Sequence, residues 1–325
     1  MDISTTYLGL NLKNPVIVAS CGLTKTAENI IKCENAGAGA VVMKSLFEEQ
    51  IRESDSGVRA SVGMHPEAMD YIRADIDMEY GSREYLKTIE QTRKSVSIPV
   101  IASVNCYTSK WWMNYAQQLE AAGADALELN VYALPFDFEK SSSDLENIYL
   151  EILQSVKELI KIPVALKLAP YFTSFGHFAT KLAEKGANGL VLFNRFIHPD
   201  INLDKIAITV KGTFNDPVGF NYALRWVALL SETLKLDIAA SGGVRDASDL
   251  LKQLLAGASA VQIASILYTK GLEYIESLLT GLKNWMTANK FPSIADFKGK
   301  LNQQHNPQSQ AYVRAQYIKS ITGIE

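Results

Sequence analysis

Two turns near the end of the chain carry the strongest chemical signal in the sequence. The first is Ser241-Gly242-Gly243 and the second is Ala264-Ser265; each follows a short apolar run and precedes a helical pattern. Backbone N–H groups in such turns, with the positive end of the following helix, can bind a phosphate group. One glycine pair alone would indicate only a tight turn, whereas two such turns in tandem are typical of the phosphate site after strands seven and eight of a (β/α)8 barrel.

The elements that must position these turns alternate between β-branched apolar runs and longer segments of helical periodicity. Because strands buried on both faces read as continuous apolar runs, the pattern predicts an α/β fold, a closed TIM (β/α)8 barrel rather than an open sheet. Eight strands are predicted at Pro15–Ala19, Ala40–Lys44, Pro99–Val104, Ala126–Val131, Pro163–Leu168, Gly189–Phe193, Asp237–Ala240 and Ala260–Ile263. Helices are predicted at Thr26–Ala36, Arg83–Ser95, Met113–Ala122, Asp144–Ile160, Phe175–Lys185, Tyr222–Leu234, Ala247–Ala256 and Leu272–Ala288.

Three segments exceed the minimal barrel. Tyr7–Leu12 predicts an N-terminal hairpin that caps the barrel floor, and Glu48–Ser82 and Asn194–Asn221 are long insertions after strands two and six. Since βα loops lie at the C-terminal face of a barrel, where its chemistry occurs, both insertions are candidates for a substrate lid. We expect residues 1–301 to form the barrel domain and residues 302–325 to form a C-terminal extension.

Composition narrows the class of protein. The formal net charge of -3 and the pI of about 5.9, without a Lys/Arg-rich run, argue against a nucleic-acid partner. No apolar stretch approaches the roughly 18 residues of a membrane span and no signal peptide is recognisable, so we expect a cytoplasmic protein without membrane association. Three widely spaced cysteines and four isolated histidines predict neither a disulfide framework nor a metal site.

A set of short motifs, in order, resembles the dihydroorotate dehydrogenase family, and most of all its soluble class 1 branch. The similarity covers about Thr6 to Leu301. It is carried by Ala19-Ser20-Cys21-Gly22, Val42-Met43-Lys44-Ser45, Glu128-Leu129-Asn130, Lys167-Leu168-Ala169-Pro170-Tyr171-Phe172, Phe193-Asn194, Ser241-Gly242-Gly243, Val261-Gln262-Ile263 and Ile294-Ala295-Asp296-Phe297-Lys298-Gly299-Lys300-Leu301.

The resemblance implies an FMN-dependent oxidoreductase that takes dihydroorotate to orotate in pyrimidine biosynthesis, with hydride passing to flavin N5. It also implies a small-molecule substrate and a homodimer. A lysine that ends a barrel strand can stabilise the reduced flavin, which gains negative charge around N1 and O2. The implied cofactor-binding residues are Ala19, Ser20, Gly22, Lys44, Ser45, Asn105, Asn130, Lys167, Phe193, Ser241, Gly242, Gly243, Ala264 and Ser265. The implied substrate-binding residues are Lys44, Asn130, Asn194 and Arg195.

The chain departs from the family at the loop that supplies the catalytic base. Where the family has Asn-Leu-Ser-Cys-Pro-Asn, this chain has Asn130-Val131-Tyr132-Ala133-Leu134-Pro135, and Ala133 cannot accept a proton. Pro135 also replaces the second asparagine of the loop. Substitute bases on or near βα loops are Cys106, Tyr107, Tyr132 and His65. The catalytic residue is therefore left open, and so is the electron acceptor.

Two other functions fit the same residues. A phosphate-binding barrel lyase or aldolase would form a Schiff base with Lys167 and use the two phosphate turns to hold a sugar phosphate. A catalytically silent FMN-binding homologue would explain Ala133. A flavin absorption band separates the first of these from the oxidoreductase, and anaerobic reduction by dihydropyrimidines separates the second.

Overall fold

Parallel strands close into a barrel in this computed structural model, which describes residues 1–48, 81–107, 113–131, 133, 137–194, 199–210, 217–306 and 312. The strands of those ranges are β1 (Thr5–Tyr7), β2 (Leu10–Leu12), β3 (Val16–Val18), β4 (Ala40–Val42), β5 (Leu46–Phe47), β6 (Val100–Cys106), β7 (Ala126–Val131), β8 (Val164–Leu168), β9 (Gly189–Leu192), β10 (Pro199–Asn202), β11 (Ala207–Val210), β12 (Asp237–Ser241) and β13 (Ala260–Ile263).

Helices alternate with the barrel strands. They are α1 (Ala27–Asn35), α2 (Ser82–Ser95), α3 (Met113–Ala121), α4 (Ser142–Lys157), α5 (Phe175–Glu184), α6 (Pro217–Leu230), α7 (Ala247–Ala256), α8 (Ser265–Lys270) and α9 (Tyr274–Ala288), with 3-10 turns at Gly22–Thr24 and Ile294–Asp296. The described residues contain no helix whose length and apolar character would let it cross a membrane. They also contain no cluster of three or more His, Cys, Asp or Glu side chains arranged to hold a metal.

The strand order confirms the predicted TIM barrel. Neighbouring strands run β4-β3-β13-β12-β9-β8-β7-β6, the pairing of β4 with β6 closes the ring, and the short β5 adds to the far end of β6. The predicted helix at Tyr222–Leu234 is shifted: α6 begins at Pro217 and ends at Leu230. Proline suits the first helical turn, because its missing N–H would be unpaired there in any case.

The predicted hairpin closes the bottom of the barrel. Leu8 and Gly9 both have positive φ, at 55° and 73°, as a two-residue type I′ turn requires. The Leu8 N–H donates to Asp237 Oδ2 at 2.7 Å, and the Ser259 hydroxyl donates to Asp237 Oδ1 at 2.7 Å. Tyr7, Leu8 and Leu12 are thereby buried against the barrel interior.

The barrel interior changes character along its axis. Its lower part, in contact with the hairpin, is apolar and lined by small or branched residues such as Ile101, Ala126, Ala165, Ala239 and Ala260. Successive side chains of a strand alternate between faces, so the residues two positions further on also face inward. Those residues are polar: Ser103, Glu128, Lys167, Ser241 and Gln262. The polar side chains thus lie near the C-terminal face, where a ligand can bind, whereas the apolar side chains of the lower part form the packed core of the barrel.

Gly39, just before β4, should be indispensable for stability. A Cβ at this position would overlap the backbone carbonyl of Asn14. That carbonyl cannot move freely, because the Asn14 side chain accepts from Val16 N–H at 3.0 Å and donates to the Gly37 carbonyl at 2.8 Å. We expect Gly39→Ala to lower the free energy of unfolding by about 3 kcal/mol, the scale of overpacking in a tight core. Urea unfolding measures this loss.

Gly176→Ala is the matched control. Gly176 lies in α5, and its Cβ would meet Trp226 at an ordinary 3.9 Å. Alanine favours the helix over glycine by up to about 1 kcal/mol, so this variant should be unchanged or more stable. Equal destabilisation of both variants would contradict the proposed overlap at Gly39.

The remaining segments are described in part. Of the two predicted insertions, the structure describes the β10–β11 hairpin, whose Ile201, Leu203, Ile206 and Ile208 side chains are exposed. Residues 49–80, 195–198 and 211–216 lie outside the described ranges. Beyond Leu301, the Gln303 N–H donates to the Ala228 carbonyl at 2.9 Å, which ties the chain to α6 up to that point. The domain boundary at residue 301 stays a prediction.

Candidate active site

A cavity of about 240 Å³ opens at the C-terminal end of the barrel. It lies between the turns that follow β12 and β13, the predicted phosphate turns. Ten of the predicted site residues line it: Ala19, Ser20, Lys167, Phe193, Asn194, Ser241, Gly242, Gly243, Ala264 and Ser265. The remaining lining residues are Val244, Gln262, Ile263 and Tyr268. The structure therefore brings most of the predicted site together at one opening.

The turn after β12 leaves room for a ligand. Gly242 and Gly243 have φ of 94° and 72°, a backbone conformation that favours glycine. A Cβ built on Gly242 would meet nothing within 4 Å, so the space beside this backbone is open. Ser265 begins the six-residue α8 on the opposite side of the cavity, and the preceding Ala264 has no side chain that could cap it. These backbone groups could accommodate a phosphate.

Lys167 forms the floor of the cavity. Only 7% of the residue is exposed. Its Nζ donates to Gln262 Oε1 at 3.2 Å and lies 3.8 Å from Glu128 Oε1. Gln262 Nε2 donates to Glu128 Oε2, so the three side chains form a closed triangle across β7, β8 and β13. A held ammonium group beside an open cavity can stabilise negative charge on a ligand.

A series of hydrogen-bonded serine hydroxyl groups leads from the cavity wall at Ser20 to β6. The Ser20 and Ser45 hydroxyls lie 3.0 Å apart, and the Ser45 N–H donates to Ser20 Oγ at 2.8 Å. Ser45 continues to the buried Ser103 hydroxyl at 2.8 Å. The Tyr85 hydroxyl then accepts from Ser103 N–H at 2.9 Å. This network fixes the loop after β4 against β6, although Ser45 itself does not line the cavity.

An amide pair stands on the rim. Asn194 Nδ2 donates to Asn130 Oδ1 at 2.9 Å, which joins the ends of β7 and β9. Both residues are half-buried, so their remaining polar atoms can reach a ligand above the barrel. Asn105, the Cα partner of Asn130 across the β6–β7 pair, also faces inward. Lys44 is half-buried, two positions beyond the inward-facing Val42, and its N–H donates to the Thr24 carbonyl at 3.2 Å.

Tyr268 closes the side of the cavity near the first βα turn. A Cβ on Gly22 would lie 2.8 Å from the Tyr268 hydroxyl, so Gly22 is the residue that admits this ring. Partial burial, together with the nearby Cys21 thiol, raises the pKa of Tyr268 to about 12. Gly22 is not among the residues that line the cavity, and its role in cofactor binding stays a prediction.

Several predicted residues are not brought into the cavity. Cys106 is fully buried in the core between strands and helices, and burial followed by the nearby Glu48 raises the pKa of its thiol well above the usual value. Cys106 is therefore wrong as a substitute base. The Tyr107 N–H donates to Glu48 Oε2 at 2.9 Å. Arg195, Tyr132, His65 and Pro135 lie outside the described residues.

Ala133 lies where the resemblance places the family's base. It is half-buried and packs against the outer core, and its carbonyl accepts a hydrogen bond from the Tyr149 hydroxyl at 3.5 Å. A methyl group offers no proton acceptor. The described part of this loop therefore supplies no general base at this position.

Comparisons with known proteins agree with this geometry. The family profile for dihydroorotate dehydrogenase matches residues 2–286. The relative named dihydroorotate dehydrogenase B (NAD(+)), catalytic subunit, from Thermoplasma acidophilum is 30% identical, with 92% of this chain and 98% of the relative covered. The protein of the same name from Pyrococcus furiosus is 29% identical, with the same coverage. This chain belongs to the dihydroorotate dehydrogenase family.

The fold agrees as well. A crystal structure of DHODH in complex with ferulenol, from Eimeria tenella, matches with a TM-score of 0.67 and 16% identity over 94% of this chain and 89% of that chain. At this identity the likeness concerns the fold alone. As a member of the dihydroorotate dehydrogenase family, the protein is a dihydroorotate dehydrogenase-like oxidoreductase.

The cavity residues fit the FMN that the family resemblance implies. An FMN needs an anion cradle for its phosphate and a cation near the ring edge that becomes electron-rich on reduction. The open backbone at Gly242 and the start of α8 match the first need, and Lys167 matches the second. Ala19 and Ser20, whose side chains are small, also line the cavity, so their backbone can approach a ligand closely.

Sequence reasoning missed Glu128, Gln262 and Tyr268 as parts of the site. Glu128 and Gln262 were available as polar residues inside otherwise apolar strands, Ala126–Val131 and Ala260–Ile263. Counting two positions on from the inward-facing Ala126 and Ala260 would have placed both on the barrel interior. Tyr268 had no such signal, because its contact with Gly22 depends on how α8 meets the first βα turn.

Proposed function

We propose that this protein is an FMN-dependent oxidoreductase that exchanges hydride between a carboxylated dihydropyrimidine and flavin N5. The observation that carries the proposal is the position of Lys167: a buried ammonium at the floor of a cavity bounded by two phosphate-type turns. Family membership supports dihydroorotate as the first substrate to test, with pyrimidine biosynthesis as the pathway.

Each group has a separate task in this proposal. When bound, FMN supplies the hydride acceptor. Backbone N–H groups around Gly242, Gly243 and Ser265 hold its phosphate, and Lys167 stabilises charge at the pyrimidine edge of the ring. The Asn130–Asn194 pair orients amide groups of the substrate or ring, and Lys44 and Arg195 bind the substrate carboxylate.

The missing base has a consequence for rate. Oxidation of a dihydropyrimidine removes hydride from one ring carbon and a proton from its neighbour, and a positioned general base contributes roughly 10²- to 10⁴-fold to such a step. With alanine at position 133, the proton must pass to water or to another group. We therefore propose slow turnover of dihydroorotate by the natural sequence.

Two alternatives stay in view. The lyase alternative needs the Lys167 nitrogen free to attack a carbonyl group, whereas in this structure Lys167 Nζ donates to Gln262 Oε1 at 3.2 Å and lies 3.8 Å from Glu128 Oε1. The silent homologue is favoured by Ala133 alone. Both are tested together with the leading proposal by the experiment below.

The deciding experiment incubates the purified protein with FMN and then titrates it anaerobically with dihydroorotate and related dihydropyrimidines. Loss of the flavin absorption band supports the oxidoreductase. A yellow protein that no dihydropyrimidine reduces supports the silent homologue. A colourless protein that takes up no FMN, with a borohydride-trapped adduct at Lys167, supports the lyase.

Restoring a base should speed the reaction. We expect Ala133→Cys to increase the rate of flavin reduction by dihydroorotate about tenfold, below the full general-base range because Pro135 still lacks the second amide of the family loop. Stopped-flow absorbance measures the rate. Ala133→Val, which adds bulk without a proton acceptor, is the control and should give no gain. No gain with cysteine would contradict the assignment of position 133.

We further propose a cytoplasmic homodimer with a small-molecule substrate, and no nucleic acid or membrane partner. The assembly rests on the family resemblance. Light scattering of the purified protein tests it, and a monomer at micromolar concentration would contradict it.

A further inference from the structure

Glu128 lies below the cavity rather than in its lining. Its side chain is 1% exposed, and within the described ranges it makes polar contacts with two residues of the cavity lining, Lys167 and Gln262. Glu128 Oε1 has no hydrogen-bond partner among the described residues, so its charge is met chiefly by the Lys167 ammonium at 3.8 Å. The Tyr7 hydroxyl, also buried without a partner in the described ranges, faces this region from the barrel floor.

Packing does not account for this carboxylate. Two residues earlier on each of the three strands, the inward position is an alanine: Ala126, Ala165 and Ala260. An apolar layer would fit there as well, and replacing buried ion pairs by apolar residues is often neutral or stabilising. The carboxylate therefore serves something other than the stability of the barrel.

The function of the Glu128 carboxylate follows from the charge of Lys167. A lone ammonium at the cavity floor would place a full positive charge beside the electron-rich edge of the flavin in the proposed function, on which this inference rests. A carboxylate 3.8 Å away offsets much of that charge at any point further off, because the two fields oppose each other. The pair presents a directed donor with a reduced net charge.

We propose that Glu128 is a positioning residue that lowers the electron affinity of the bound flavin by offsetting the charge of Lys167, and that Gln262 fixes the geometry of the pair. Gln262 uses both ends of its amide for this, accepting from Lys167 and donating to Glu128. A reduced flavin carries added negative charge, so removal of the carboxylate makes reduction easier.

Sulfite affinity of the FMN-loaded protein tests this without substrate turnover. Sulfite adds to flavin N5 and leaves negative charge at the pyrimidine edge, and the loss of flavin absorbance gives its Kd. Glu128→Gln keeps the shape and removes the charge, so sulfite should bind about tenfold more tightly. Glu128→Asp withdraws the carboxylate by one methylene from Lys167, so its sulfite affinity should lie between those of the wild type and Glu128→Gln.

Glu184→Gln is the control, since it removes one exposed carboxylate at the end of α5 and should leave the sulfite Kd unchanged. A sulfite Kd of Glu128→Gln within twofold of the wild type, or weaker, overturns the inference. If Glu128→Gln does not fold, Glu128→Asp decides by the same criterion: tighter binding supports the inference and unchanged binding overturns it. A wild-type protein that binds no FMN overturns the proposed function itself, which is a separate and earlier result.

Discussion

Lys167→Met should slow reduction of the bound flavin by dihydropyrimidine by about 10²- to 10³-fold, the usual cost of removing one preorganised donor from developing negative charge. Lys167 is the charged side chain that lines the cavity within the described residues. Methionine fills similar volume but offers neither charge nor hydrogen bond. Anaerobic stopped-flow absorbance measures the rate directly.

The Lys167→Met substitution also leaves the buried Glu128 carboxylate without its ion-pair partner. Without Lys167, the buried Glu128 carboxylate loses its ion pair, and breaking a buried pair costs about 3–5 kcal/mol of stability. The double variant Lys167→Met/Glu128→Gln removes both charges and should recover much of that stability while the rate stays low. A rate that returns with stability would contradict the assigned role of Lys167, because it would trace the defect to folding.

Lys181→Met is the matched control. Lys181 also pairs with a carboxylate, Glu146 at 3.4 Å, but it lies on α5 with a partly exposed side chain. Its removal should change neither flavin binding nor the rate of reduction. A rate for Lys167→Met within threefold of this control would overturn the electrostatic role.

The strands were predictable because the barrel buries them on both faces. The runs at Ala126–Val131 and Ala260–Ile263 have the same limits in sequence and structure, since each is apolar on its outward side and bounded by turn residues. The hairpin was also predictable from the sequence, because Leu8-Gly9 forms a turn between two short strands. Such local signals place elements without any knowledge of their neighbours.

Unlike the strands and the hairpin, the Glu128–Lys167–Gln262 triangle could not be predicted from local sequence signals. Gln262 and Glu128 are 134 positions apart, and Lys167 and Gln262 are 95 apart. The strand of Gln262 is not adjacent to the strands of the other two residues, since β9 and β12 separate β8 from β13. Their contact exists because the barrel closes and its interior is narrow. The sequence motifs predicted Lys167 as a flavin contact, and the closed ring adds the two side chains, Glu128 and Gln262, that hold its ammonium group.

The sequence was also insufficient to identify the catalytic base. Motif comparison identified Ala133 as a departure, and the structure adds that Cys106, one of the substitute bases considered, is fully buried in the outer core and does not line the cavity. Strand alternation explains this, because Asn105 takes the inward position of β6. A candidate base chosen because it lies near a βα loop can therefore face the outer side of the barrel wall.

Gly242→Val should weaken FMN binding by about 10²- to 10³-fold. The backbone at Gly242 has φ of 94°, which an L-residue adopts only at a cost of roughly 1–2 kcal/mol. The added side chain would occupy the open space beside the turn, and each charge-assisted hydrogen bond to phosphate that it prevents costs about 1.5–3 kcal/mol. Isothermal titration of apoprotein with FMN gives the affinity.

Gly9→Val is the control that separates backbone strain from the loss of hydrogen bonds to the phosphate. Gly9 also has positive φ, at 73°, and its Cβ would likewise meet nothing within 4 Å, but it lies in the hairpin at the opposite end of the barrel. Both variants should lose similar stability from backbone strain, whereas only Gly242→Val should lose FMN affinity. Equal FMN binding by the two would show that the turn after β12 does not hold the phosphate, because strain is then the only effect of the substitution.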